Sequence, residues 1–389
     1  IRNQVKSHSQ VTKNSLQRNE IMSPKEISVI MPAYNEGEHI YANILRVCET
    51  LHTLDFELIV VDDGSVDGTF VEKSGRHTYG LDWFYNGKTQ RAEKGLELSV
   101  IGIVDLEQNT AYALSAQQTE AGLSTQSPSS DAAPSPQCNR MDFYLGHLAL
   151  CIPYFPQGIR YIVADGFYSK YKWVTGVVKL GFHAIGKLRC DANLKFLYTG
   201  PYSGRGRRRR YDGKVSLADP RRFQFVQQVE EGVDLYTAVV WSVSLKRKVR
   251  LAYLIKKDKG RSSYVVLFST DLELDPVCLY RYYAARFQIE FVFRDARQHT
   301  GLADCQARSA EAIDTHVNAS LMALNLAKLA LQQSQTESDI LSFSMASFKR
   351  RALNEHLLDL FIEQFELEPT LIKFHANYQK LLDYGAIAY

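Results

Sequence analysis

Long apolar runs are missing from this chain. No uninterrupted stretch of about 18 apolar residues occurs, so hydropathy gives no membrane span and no membrane partner is expected. The polar first residues lack the apolar core of a secretory signal. Cysteine is sparse. Cys48, Cys138, Cys151, Cys190, Cys278 and Cys305 make no Cys-x-x-Cys pair and no zinc-like spacing with histidine. That argues against a disulfide framework or a structural zinc site and leaves a reduced, cytoplasmic protein as the simplest reading. The net charge is only +3, too small to imply a partner by itself.

What is present is a skewed distribution of that charge. Between Arg205 and Arg261 stand sixteen Lys/Arg against six Asp/Glu, a local excess of +10. Such an excess suits phosphate contacts with strong salt dependence. With 389 residues and ordinary apolar content, the chain is long enough for two or three domains and a large core. Residues 1–25 are polar and read as a disordered tail. The first methionine, Met22, is the expected natural start, with residues 1–21 coming from upstream translation.

The densest chemistry lies in Tyr283-Ala-Ala-Arg286-Phe-Gln-Ile-Glu290-Phe-Val-Phe-Arg-Asp-Ala-Arg297-Gln-His-Thr-Gly301. Tyr283, Arg286, Glu290 and Arg297 are three, four and seven apart, which predicts one face of a single helix. Ala285, Ile289, Val292 and Ala296 fall on another face suited to a core, and Gly301 can end the helix. A rigid carboxylate between two guanidiniums, with a phenol on the same face, suits metal-assisted phosphoryl chemistry on nucleic acid. A surface helix with ordinary charge pairs is the plain alternative.

Further strands precede it. Leu98–Val104 and Ala111–Ala116 around the turn at Asp105–Asn109 predict a hairpin. Met141–Cys151 reads as a helix, and residues 117–138 as a polar linker or exposed loop. Gly158-Ile-Arg-Tyr-Ile-Val163-Ala reads as a strand with Asp165 at its end, where metal-dependent sites assemble in such sheets; an N-cap is the structural alternative. Lys187 and Arg189 alternate on one face of a strand and point to backbone phosphates, with Asp191 as a partner for Arg189. Arg205, Arg207, Arg208, Arg209 and Arg210 form a dense cationic loop, and Leu235–Ser244, Val249–Ile255 and Ser263–Ser269 read as strands. Val317, Leu321, Leu324, Ala327 and Leu331 predict an amphipathic helix over His316–Gln332 with a broad core-facing side, and residues 347–383 add helical segments.

The tyrosine-arginine-glutamate pattern, with Arg297 where lysine is usual, resembles the signature of bacterial insertion-sequence DDE transposases over residues 67–340. The resemblance implies an α/β fold with an RNase H-like mixed-sheet core, a β-rich insertion and C-terminal helices. It implies DNA strand cleavage and transfer, with Asp67, Asp165 and Glu290 holding two Mg²⁺ ions about 3.5–4 Å apart, Mn²⁺ being able to substitute. Asp63 is the stand-in for Asp67, because the apolar strand ends at Val61. Arg286 and Arg297 would clamp phosphates and Tyr283 would orient one. DNA, as transposon ends and target, and a homodimer in a synaptic complex are the partners it implies, in a bacterial cytoplasm and at the nucleoid when bound.

In front of it, Ile27–Glu36, a helical stretch from His39 to about His52, and Phe56–Ser65 form a β-α-β pattern. It is similar to the nucleotide-sugar-binding unit of family 2 glycosyltransferases, with Pro32, Asn35, Glu36 and Asp62 as the site remnant. The Asp-x-Asp which that family needs for its metal is absent downstream. The expected organisation is therefore a tail at 1–25, a truncated β-α-β unit at 26–66, core at 67–200 and 271–335, a basic β-rich insertion at 201–270, and C-terminal helices at 336–389. The unit at 26–66 occupies the place of the region that recognises element ends, so impaired transposition is expected. An inactive chimera that at most binds DNA is the alternative, and a glycosyltransferase fragment a weaker one.

Overall fold

In a computed structural model, residues 58–62, 70–75, 77–86, 89–123, 139–202, 204, 206–258, 261–334 and 343–386 are described. The strands are β1 (Leu58–Asp62), β2 (Phe70–Glu72), β3 (Asp82–Asn86), β4 (Arg91–Asp105), β5 (Thr110–Gln118), β6 (Tyr161–Ala164), β7 (His183–Leu188), β8 (Leu194–Leu197), β9 (Tyr211–Lys214), β10 (Gln224–Glu230), β11 (Val233–Ser242), β12 (Arg247–Asp258) and β13 (Arg261–Ser269). The helices are α1 (Arg140–Cys151), α2 (Tyr171–Lys179), α3 (Pro276–Ala285), α4 (Gln288–His299), α5 (Ala310–Ser334), α6 (Met345–Gln364), α7 (Pro369–Lys373) and α8 (Ala376–Leu382).

The described strands join into one mixed sheet, ordered β2-β4-β1-β6-β7-β13-β12-β11-β8-β9, with β3 and β5 on β4 and β10 on β11. Strands β1, β6 and β7 are parallel, and β4 runs against β1. The five-strand series β5-β4-β1-β6-β7 fits an RNase H-like core. The strands of the basic insertion do not form a separate layer. They extend the core sheet, because β13 pairs with β7 and carries β12 and β11 with it.

Helices cover both faces. Tyr144, Leu148, Trp173 and Val177 of α1 and α2 are buried in a core with Ile101, Ile103 and Ile162. Ile289, Val292, Leu321 and Leu324 of α4 and α5 are buried with Leu96, Leu98, Val100 and Val163 on the other face. The alternation of β4 therefore divides the two cores, even residues 96–100 serving one and Ile101 and Ile103 the other. The predicted apolar positions pack: Ala285 of α3, Ile289, Val292 and Ala296 of α4, and Val317, Leu321, Leu324 and Ala327 of α5 are buried, while Leu331 is half-buried.

Among the described strands, β5 pairs along one side alone, with β4. Its other side is met by side chains of α5. Asn325 exchanges two hydrogen bonds with the backbone of Ala113, at 3.1 and 2.7 Å. Asn318 does the same with Ala116, at 3.1 and 3.0 Å. Lys328, buried and with its pKa lowered to about 8 by desolvation, donates to the Ala111 carbonyl at 2.6 Å. Asparagine, with a donor and an acceptor, copies what a neighbouring strand would offer.

Two polar groups lie beneath α1. Glu97 accepts from Tyr144 at 2.8 Å and pairs with Arg140 at 3.2 Å, while burial raises its pKa. His147 lies between Ser99 and Ser115, with Nδ1 2.9 Å and Nε2 3.0 Å from their hydroxyls. Burial lowers its pKa from 6.5 to about 4. Folding thus favours neutral His147, and that stabilisation is complete above pH 6.5 and lost as pH falls towards 4. The loss is on the order of 3 kcal/mol. Urea unfolding midpoints should fall across this window, and the His147→Gln variant should lack that part of the slope.

Candidate active site

The parallel strands β1 and β6 end at the same level. Val61 is the register partner of Ala164, so Asp62 of β1 and Asp165, just after β6, occupy neighbouring positions at the carboxyl end of the sheet. Asp165 begins a short 3₁₀ turn, and its Oδ1 accepts from the Phe167 amide at 2.7 Å. The capping role open to it in the sequence is thus filled, and the same side chain lines an open cleft.

That cleft, of about 580 Å³, is lined by Asp165, Lys187, Arg189, Asp191, Tyr283 and Arg286, together with Gly166, Leu188 and Cys190. Two chain segments far apart in sequence meet there: the ends of β6 and β7, and the α3–α4 junction. Gly166, Leu188 and Cys190 carry no pattern that marks a pocket wall, so these lining positions could not be read from spacing.

The junction corrects the expectation of one continuous helix. α3 stops at Ala285 and α4 starts at Gln288. Between them the backbone tightens into i,i+3 bonds, from Arg286 N to Tyr283 O, Phe287 N to Ala284 O, Ile289 N to Arg286 O and Glu290 N to Phe287 O, at 3.1–3.3 Å. Tyr283 and Glu290 therefore sit on different helices. The seven-residue spacing places them near each other through a junction, with no shared straight face. Gly301 does follow α4, with a left-handed φ of 77°, as helix-ending glycines do.

Within this junction Arg286 donates from Nη2 to Glu290 Oε1 at 3.0 Å, its side chain only 14% exposed. Its guanidinium carbon lies 5.9 Å from the centre of the Tyr283 ring. Burial raises the Tyr283 pKa; Arg286 acts against this, while Asp165 and Glu290 add to it. The phenol thus feels both carboxylates and stays protonated as a donor.

Of the other predicted positions, Lys187 and Arg189 share this cleft, whereas Arg297 and the arginines 207–210 do not line it. Arg297 donates to the Phe70 carbonyl of β2 and ties α4 to the sheet. Lys187 is exposed on β7 at the cleft. Arg189 and Asp191 form a forked pair at 2.9 and 3.1 Å, and the guanidinium holds the Asp191 pKa below its ordinary value. Arg207, Arg208, Arg209 and Arg210 are exposed, Arg209 pairing with Asp212 at 2.7 Å. Pro32, Asn35, Glu36, Asp63, Asp67 and Arg205 lie outside the described residues, as does most of the expected unit at 26–66. Its last strand, Leu58–Asp62, is β1, and it lies inside the core sheet between β4 and β6.

Among the described residues, no three His, Cys, Asp or Glu side chains form a ready metal cluster. Asp165 and Glu290 supply hard carboxylate oxygens of the kind Mg²⁺ and Mn²⁺ take. A mixed sheet covered on both faces, with acids at the ends of two parallel strands, fits the fold of an RNase H-like DDE domain. The sequence matches the DDE superfamily endonuclease model over residues 50–248, just over half of its 389 residues, and the chain belongs to that family. The match begins before β1 and so includes it. Endonucleases of this superfamily act on DNA and generally depend on divalent metal. No described helix is long and apolar enough to cross a membrane.

Removing Arg286 would leave the Glu290 carboxylate without this partner in a half-buried place. An Arg286→Ala variant should lose about 1–3 kcal/mol in urea unfolding. Most of that loss should disappear when Arg286→Ala is made on a Glu290→Gln background.

Proposed function

We propose that this protein is a DDE transposase that cleaves DNA strands and transfers them, with Asp165 and Glu290 as two of its three metal-holding carboxylates. The observation that carries this reading is the meeting of Asp165, Tyr283 and Arg286 at one cleft, with Arg286 hydrogen-bonded to the Glu290 carboxylate behind it. A bound divalent cation would supply activation of water or a 3′-hydroxyl and charge neutralisation on the scissile phosphate. Arg286 fixes the direction of the Glu290 carboxylate. Tyr283, kept protonated, donates to a phosphate oxygen at the rim. Lys187 attracts the DNA backbone to the cleft mouth, and the exposed arginines 207–210 extend that attraction along the duplex. Arg297, engaged by the Phe70 carbonyl, positions α4.

The third carboxylate comes from the β1–β2 segment. Asp67 is the position the transposase signature implies, and Asp63 its stand-in. The register favours Asp62, because it neighbours Asp165 on parallel strands, whereas Asp67 stands five residues further along the chain. The strand that resembles a sugar-transferase unit would then serve as the first core strand of the nuclease.

Nicking of supercoiled DNA with Mg²⁺ or Mn²⁺ tests this directly. Metal-dependent nicking should occur and fall at least a hundredfold in Glu290→Gln. Equal, metal-independent behaviour of both proteins would leave the inactive chimera as the reading. Asp62→Asn and Asp67→Asn, compared in the same assay, assign the first ligand. Loss in Asp62→Asn with activity kept in Asp67→Asn is expected, and the reverse result would return the role to Asp67.

A further inference from the structure

Strand β4 continues past the carboxyl end of β1. Asp62 pairs with Val100, and β4 begins at Arg91. Residues 91–97 therefore project beyond the level of Asp62 and Asp165, where β2 and β3 pair with them as a three-stranded ribbon. Buried side chains anchor this ribbon. Phe84 of β3 is buried with the Arg140 guanidinium 4.9 Å from its ring centre, and Asn86 donates to Glu93 at 2.6 Å.

The other face of the ribbon carries a different set. Trp83 is 64% exposed and Tyr85 50%, two residues apart on the same side of β3. Exposed Lys94 stands across from Trp83, and Ala92 across from Tyr85. Lys94 has the parity of Leu96, Leu98 and Val100, which pack towards α4 and α5. The exposed aromatic face thus continues the side of the sheet that carries Glu290. The ribbon's acids lie on the opposite parity, exposed Glu72 across from Gly95 among them, and two of them are engaged there. Asp82 accepts from the Gly122 amide at 2.7 Å, and Glu93 pairs with Arg91 at 2.7 Å.

We propose that Trp83, Tyr85 and Lys94 form a stacking platform for unpaired bases of a DNA strand that runs from the cleft. Side chains two apart on a strand are separated by about 7 Å, twice the roughly 3.4 Å rise per nucleotide. Two aromatic faces at that interval fit alternate bases, and Lys94 meets the intervening phosphate. Six residues separate Lys94 from Val100, which is about 20 Å along the strand, or about six nucleotides. The surface takes single-stranded DNA because stacking needs bases exposed, and because among the described residues of the ribbon no acid shares the face of the cation beside Trp83 to compete with phosphate.

This inference rests on the reading of the cleft as a DNA-cleaving site, and its test is separated from catalysis. The full chain carrying Glu290→Gln, without metal, is titrated with a twelve-residue oligothymidylate while tryptophan emission is followed. The chain has three tryptophans. Trp173 is 2% exposed and Trp241 is half-buried against Tyr211, so stacked bases should quench chiefly Trp83. The expected result is saturable quenching that disappears in Trp83→Phe, with affinity lowered about fivefold to a hundredfold in Trp83→Ala and in Tyr85→Ala. Unchanged affinity in both alanine variants, both folded by circular dichroism, would overturn the platform. So would emission that follows protein concentration and ignores DNA, which would make this face a contact between copies of the chain. Loss of metal-dependent nicking in the parent, with quenching retained, would instead remove the cleavage reading and leave a strand-binding ribbon.

Discussion

The parallel pairing of β1 with β6 is the constraint on which the site depends. Hydrogen bonding between parallel strands fixes a register, and a register fixes where two chains leave the sheet together. A slip of one residue would turn alternate side chains to the wrong face and separate the acidic positions. The antiparallel partner β4 locks β1 from the other side, with all five β1 residues paired. Ile289, Val292 and Phe293 are buried against the sheet and seat α4, the helix that carries Glu290. On the proposed reading, apolar packing holds the helix that carries Glu290, and the Arg286 guanidinium orients its carboxylate.

The individual strands and helices were legible wherever periodicity met a core. The hairpin around Asp105–Asn109 and the helix over Met141–Cys151 lie where alternation and turn residues placed them. So does the amphipathic helix that became α5. Asp165 at a strand end was legible for the same reason. The break between Ala285 and Gln288 was not, because residues 286 and 287 have good helical character and the switch to i,i+3 bonds is set by tertiary packing. The union of the insertion with the core sheet was hidden too. It depends on β13 pairing with β7, some eighty residues back, and single-sequence patterning carries no such long-range partner.

The place of Leu58–Asp62 is instructive for a different reason. Its sequence resembles one family, and its hydrogen bonds lie within the sheet of another. A short apolar strand ending in acids is a part that several α/β folds share, since each needs a buried parallel strand and a polar group at its carboxyl end. Resemblance over so short a stretch reports the local part, and the pairing partners decide what it is used for.

The asparagine and lysine contacts on β5 give the sheet a direction. An unpaired strand edge invites another strand, in the same chain or a foreign one. Here α5 has already filled those bonding positions through Asn318, Asn325 and Lys328, so the β5 side is a closed end. At the far side, β9 has β8 alone beside it among the described strands, and the four arginines just before β9 are exposed. Growth by strand addition is thus stopped sterically at one end and met by like charges at the other. A protein with so wide a sheet is thereby kept from templating its own fibres.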